Sequence, residues 1–247
     1  MTMKKDSNGY IFLYATVLVA VVAVLLAFAA TYLKPAQTAN AVATKQEMIL
    51  NTVGLTEGLA ESSDRKAFLQ KQFDKYIVEQ LAVNAQGQVL PDVVAFGQDL
   101  RAELRKPSDQ AAYPLFVARL DDGDKKYIFP LAGKGLWGDL WGYIALDSDL
   151  VTVYGTSFDH AGETPGLGAE ITTPHFTSQF AGKKMFKDGK FSSIAVVKAG
   201  KPLDAWTVDG ISGGTMTSQG VQAMLDSSLR VYLPYILLVQ QGGLSHE

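Results

Sequence analysis

A chain of 247 residues with 47% hydrophobic and 19% charged residues is long enough for one sizeable domain with a buried core. Its formal net charge of -3 and the lack of any basic run argue against a nucleic-acid binder, because a phosphate backbone is met by lysine and arginine gathered on one face. With no cysteine there can be no disulfide, thiolate-held zinc, iron–sulfur cluster or thiol nucleophile, and three histidines, His160, His175 and His246, leave little for an imidazole metal site.

The run from Ile11 to Leu33 carries no charge, and about 20 apolar residues suffice to cross a bilayer as a helix. A signal peptide is the rival, since an Ala-x-Ala pattern follows in TANAVA, but its apolar core is only about 7–15 residues long. The expected layout is therefore a terminal segment 1–10, a transmembrane helix 11–33, a small polar stem 34–44 through whose alanines the helix could continue, and a folded domain 45–247. Lys4, Lys5 and the amino terminus lie before the span, whereas only Lys34 and, further on, Lys45 lie near its other end, a bias that favours a cytoplasmic N-terminus and an external domain. With nothing ionisable inside it, the span reads as a tether in membrane lipid and not as an ion path.

In the domain, KQEMILNTVGL sets Met48, Ile49, Val53 and Leu55 at near-helical spacing with Gly54 as a stop. A second helix is predicted from Asp64 to about Glu79. PLFVARL, KYIFPLAG, LWGYIALD and VTVYGTSF then read as strands joined by hairpins. A short helix from Pro174 to Phe180 and two strands, FSSIAVVK and AWTVDGI, follow. The last helix is predicted to begin at Thr217 or Ser218, with Val221, Met224, Leu225, Leu229, Tyr232 and Ile236 on one stripe and Pro234 kinking or ending it. The apolar run YLPYILLV is too short to span a membrane and is expected on the sheet. The fold class is α+β: an antiparallel sheet flanked by helices.

Three glycine-rich stretches are candidates for chemistry. In GKGLWG, Gly133 to Gly138, Leu136 and Trp137 read either as hairpin core or as one wall of a slot for a planar ligand. In ETPGLG, Glu163 to Gly168, Thr164 precedes Pro165-Gly166, which suits a type II turn, and Leu167-Gly168 lets backbone approach a ligand closely. The third, DGISGGTMTS from Asp209 to Ser218, satisfies G-x-S-x-G and would make Ser212 a nucleophile. Only Asp226, His246 and Glu247 follow it as partners, and the α/β topology of that hydrolase class is missing, so the esterase reading is set aside. Gly213-Gly214 before a helix start instead favours an anion, above all a phosphate, with the hydroxyls of Thr215, Thr217 and Ser218 as donors or caps.

DGISGGT resembles the flavinylation motif of the FMN-binding domain family, and ETPGLG and GKGLWG resemble two further blocks of it. Together with the N-terminal span and KQEMILNTVGL, the ordered set is similar to the family of C subunits of sodium-translocating NADH:quinone oxidoreductases; the G subunits of Rnf-type complexes share the ETPGLG and SGxT blocks. Gly214 stands where the family usually has alanine. The resemblance implies FMN held through a phosphoester to Thr215, with Ser212, Gly213, Gly214 and Thr217 around the phosphate. It further implies that Thr164, Gly166, Leu167 and Gly168, with Leu136 and Trp137, flank the isoalloxazine, and that Glu163 is a further cofactor-binding residue. A separate flavin transferase using FAD and magnesium would make the link. The chain would then be an electron-relaying subunit of a sodium-pumping oxidoreductase in a bacterial inner membrane, its domain periplasmic. Its partners would be the other membrane subunits, and it would have no NADH or quinone site of its own. A flavin-free assembly module is the alternative from another class.

Overall fold

The computed structural model describes residues 8–242. Expectations resting on Lys4, Lys5 and most of segment 1–10, and on His246 and Glu247, lie outside the described residues. The chain divides into two units, one ending at Lys45 and one beginning at Gln46.

The first unit is helical. α1 (Asn8–Thr52) contains the charge-free run, and its most apolar 18-residue window has a mean hydropathy of 2.9 with none of it buried. Large apolar side chains from Ile11 to Leu33 lie exposed. Such a surface is costly in water and matches lipid in length and composition. Residues 34–44 are helical, Pro35 included, so α1 continues through the stem as its alanines allow.

In the second unit Ile49, Leu50 and Val53 are buried, and Gly54, at φ +74, lies just past the end of α1. α2 (Arg65–Tyr76) is capped by Asp64, whose carboxylate accepts the Ala67 amide at 3.0 Å. This helix stops three residues short of Glu79. The segment IVEQLAV becomes β1 (Ile77–Val83) and pairs antiparallel with β2 (Tyr113–Arg119), beyond the short helix α3 (Leu100–Glu103). β3 (Lys125–Lys134), β4 (Asp139–Leu146) and β5 (Val153–His160) complete a five-stranded antiparallel sheet in sequence order.

α4 (Pro174–Thr177) continues into a 3-10 turn at Ser178–Phe180, as expected from the sequence. FSSIAVVK is not one strand. β6 (Phe186–Lys187) and β7 (Lys190–Phe191) form a small hairpin, Ser193 takes φ +55, and β8 (Ala195–Val197) starts anew. β8 pairs with β9 (Thr207–Asp209) in parallel, a departure from the otherwise antiparallel arrangement. α5 (Thr215–Arg230) begins two residues before the earlier of the two expected starts, and Pro234 opens α6 (Leu233–Gln240) instead of ending a helix.

Both faces of the sheet are covered, which explains why β2 is buried at six successive positions instead of at alternate ones. Leu115 and Val117 join the core that includes Val221, Met224, Leu225, Leu229 and Tyr232, the expected stripe. Phe116, between them, meets Phe73 of α2 at 6.4 Å. Tyr232 is fully buried and donates to the Pro114 carbonyl at 2.7 Å.

α5 is locked to β3 turn by turn. Ser228 accepts the Ala132 amide at 3.0 Å and donates to the Ala132 carbonyl at 3.2 Å. Met224, one turn earlier, lies against Gly133, and Gly220 lies so close to the Lys134 carbonyl that a Cβ there would overlap it. The start of α5 is thereby delivered to the tip of the β3–β4 hairpin. Replacing Gly220 by valine should push the helix off the strand and cost about 1–3 kcal/mol. Denaturant unfolding of the full-length protein in detergent, followed by circular dichroism, reads this cost, and an unchanged midpoint would contradict the close approach.

Candidate functional site

Thr215 is the first residue of α5 and is exposed. Gly214 occupies the N-cap position and no side chain caps the helix, so the first-turn amides are left without helical partners. The hydroxyls expected to cap it are engaged elsewhere: Ser218 accepts the Ile211 amide at 3.0 Å, and Thr217 donates to Glu163 Oε2 at 2.6 Å. Gly213 takes φ +75, the left-handed conformation that turns the chain into the helix. A methyl at Gly214 would stand 3.0 Å from Ile211 Cγ2, so glycine here relieves crowding against that side chain.

The two other glycine blocks converge on the same place. Thr164 to Leu167 form the expected turn, with Gly166 at φ +73 and the Leu167 amide donating to the Thr164 carbonyl at 3.1 Å. GLWG, Gly135 to Gly138, is the tip of the β3–β4 hairpin, closed by the Gly135 amide on the Gly138 carbonyl at 2.8 Å. Trp137 is 70% exposed and Leu136 52% exposed, so these two side chains are not core. Asp139 at its base is held by both Arg101 and Lys134.

Glu163 joins the three blocks. Its side chain is buried, Oε1 accepts the Trp137 amide at 2.9 Å and Oε2 accepts the Thr217 hydroxyl. His160 Nδ1 accepts the Glu163 amide at 3.1 Å. Gly168 sits against this junction, where a Cβ would come within 2.5 Å of both Glu163 Oε2 and Thr217 Oγ1. Burial pushes the carboxyl up, but the Thr217 hydroxyl, the Trp137 amide, the nearby His160 and the Leu136 amide outweigh it and hold Glu163 below the ordinary glutamate value. Sequence reading counts Glu163 among the cofactor-binding residues; its role as a tie between loops rests on a contact spanning 54 positions.

Two cavities flank Thr215. The first, about 300 Å³, is lined by Leu136, Trp137, Glu163, Thr164, Leu167, Gly168 and the Gly213–Thr217 segment. It gathers every expected site residue except Ser212 and Gly166. The second, about 430 Å³, shares Gly213 and Thr215 with the first and adds Ser212, Ser218, Gln219 and Lys198. Gly166 shapes the turn without lining either. Ser212 is exposed. Of the partners an esterase would need, Asp226 is bound to Arg230 at 2.8 Å and 2.9 Å.

The profile of the FMN-binding domain family matches residues 135–230, from the hairpin tip to the end of α5. A curated relative in Vibrio vulnificus, the C subunit of the Na(+)-translocating NADH-quinone reductase, is 32% identical across 91% of this chain and 92% of its own length. The chain belongs to this family of C subunits. The family's protein in Yersinia pestis is 33% identical over 98% of this chain and 96% of its own. The crystal structure of the C subunit from Parabacteroides distasonis superposes with a TM-score of 0.72 at 41% identity, covering 83% of this chain and 96% of that one. The matched stretch runs through all three glycine blocks, the first of them from Gly135 on, and α1 has the length and composition of a membrane-anchoring helix.

Because the folded value of Glu163 lies below the ordinary one of about 4.5, its contribution is complete above that pH and lost as pH falls through the folded value. Hydrogen-exchange protection of the 135–138 hairpin should therefore fall in acid in the wild type. Glu163→Gln should be unprotected already at neutral pH and show no further acid step; protection equal to the wild type at every pH would show that another group holds the hairpin.

Proposed function

We propose that this chain is the covalent FMN carrier of a sodium-translocating NADH:quinone oxidoreductase, with Thr215 as the point of attachment. The observation that carries the reading is the exposed Thr215 hydroxyl on the first turn of an uncapped helix, at the edge of a cavity walled by unburied apolar side chains. A helix start with free amides favours phosphate. The flat Trp137 face, Leu136 and Leu167 suit a planar aromatic ring, so the residues present fit the flavin nucleotide.

On loading, Thr215 Oγ would form an Oγ–P bond to the flavin-side phosphoryl group of a flavin–adenine dinucleotide as the pyrophosphate P–O bond breaks; adenylate would leave with that electron pair and the hydroxyl proton would pass to a base of the transferase. No base among the described residues contacts Thr215, which supports the use of a separate, magnesium-dependent transferase. When bound, FMN supplies reversible electron uptake and release. The protein's own part is to hold and orient: Glu163 keeps the hairpin and α5 together, Gly213 and Gly214 let the backbone approach the phosphate, and Thr164 to Gly168 close the ring side. Thr217 spends its proton on Glu163, so it shapes the wall and has no hydrogen to give the phosphate.

Electrons pass to and from neighbouring subunits, and the sequence has no complete dinucleotide fingerprint that would give this chain an NADH site. The positive-inside bias supports a single-pass protein of a bacterial inner membrane with its domain in the periplasm. Co-expression with a flavin transferase should give a band that fluoresces under ultraviolet light on a denaturing gel. Thr215→Ala should abolish it and Ser212→Ala should retain part of it. A dark wild-type band would favour the flavin-free assembly module, and a band lost only with Ser212 would overturn the attachment site.

A further inference from the structure

The two cavities beside Thr215 differ in charge. The wall of the first contains the Glu163 carboxylate, held in its ionised form by its hydrogen bonds. The second contains Lys198, and among the described residues no acid lines it. Among the described residues, too, no carboxylate pairs with Lys198. Asp209, the acid of the DGISGGT motif, turns instead to the Gly200 amide at 3.1 Å.

Lys198 is exposed, and the backbone that leads to it is tied on two sides. It follows β8, which pairs with β9, and the Gly210 amide donates to the Val197 carbonyl at 2.6 Å. The Val196 amide donates to Gln222 of α5 at 2.9 Å, so the strand that ends beside Lys198 is tied to the helix that begins at Thr215. Ser218 adds a hydroxyl: it is buried, its oxygen accepts the Ile211 amide, and its proton remains for an acceptor in the cavity it lines.

Resting on the attachment proposed above, we infer that the second cavity is the seat of the phosphoryl group borne by Thr215, with Lys198 as its cationic partner and Ser218 as a hydroxyl donor. An anion on Thr215 Oγ is repelled from the Glu163 side and attracted to the Lys198 side. The site is thus polarised across Thr215, with phosphate in one cavity and the apolar ring in the other. The uncapped amides of α5 reinforce the seat. In sequence Lys198 reads as the end of a strand, because nothing in AVVKAGK marks it as facing a helix start.

Purified, unloaded full-length protein in detergent, incubated with transferase, FAD and magnesium, tests this. Lys198→Ala should load about tenfold more slowly, the effect of losing one charge-assisted hydrogen bond. Lys198→Arg should load near the wild-type rate, and so should Lys201→Ala, a control for general charge on the same loop. In the loaded proteins the 31P resonance should move in Lys198→Ala and stay in place in Lys201→Ala. Wild-type loading rate and resonance in Lys198→Ala would overturn the seat. So would failure of arginine to restore loading, or equal slowing by Lys201→Ala. Slow loading with an unmoved resonance would also overturn it, since Lys198 would then act in recognition by the transferase. Wild-type protein that takes up no flavin would defeat the attachment and the seat together.

Discussion

The carboxylate of Glu163 is the point at which three glycine-rich loops meet, and the shape of the site depends on it. Burying a carboxylate is unfavourable unless hydrogen-bond donors replace the lost water. Here the donors come from parts of the chain remote in sequence, the Trp137 amide on the β3–β4 hairpin and the Thr217 hydroxyl on α5. Withdrawing either segment would leave a buried charge short of partners, so hairpin, turn and helix start are coupled in stability as well as in space. The same crowding accounts for Gly168, which has no room for a side chain beside that junction.

Such a junction needs a scaffold that does not yield, and the sheet supplies it. β2 and β3 are covered on both sides, by α2 with Phe96 on one and by α5 and α6 on the other. Tyr232 and Ser228 add buried polar contacts with the sheet backbone, and these have direction where apolar packing has little. The exposed surface around Thr215 is accordingly apolar by placement and not by poor folding. Trp137, Leu167 and Met216 stand on short loops and a first helical turn anchored from beneath.

Much of this is legible in the sequence where the signal is local. Strands β2 to β5 follow from β-branched and aromatic runs between turn residues, and the type II turn follows from Pro165-Gly166. β1 escapes such reading because IVEQLAV continues directly from α2 with no glycine or proline between Tyr76 and Ile77; only pairing with β2 decides its state. The start of α5 reads too late because Thr217 and Ser218 look like caps, whereas the backbone enters the helix at Gly214 and both hydroxyls have long-range or loop partners. The glycine blocks stand out in the sequence, and the fold brings them to one cavity. The tie through Glu163 joins positions no local pattern relates.

The locking of α5 onto β3 bears on how the site responds to strain. Contacts at Gly220, Met224 and Ser228 recur once per helical turn, so the helix has few acceptable registers, and neighbouring ones differ by a whole turn of about 5.4 Å. A shift of that size would carry Thr215 away from the mouths of both cavities. Substitutions along this seam should therefore divide into those that leave the register intact and those that abolish it. The geometry around Thr215 behaves as a detent and not as a dial.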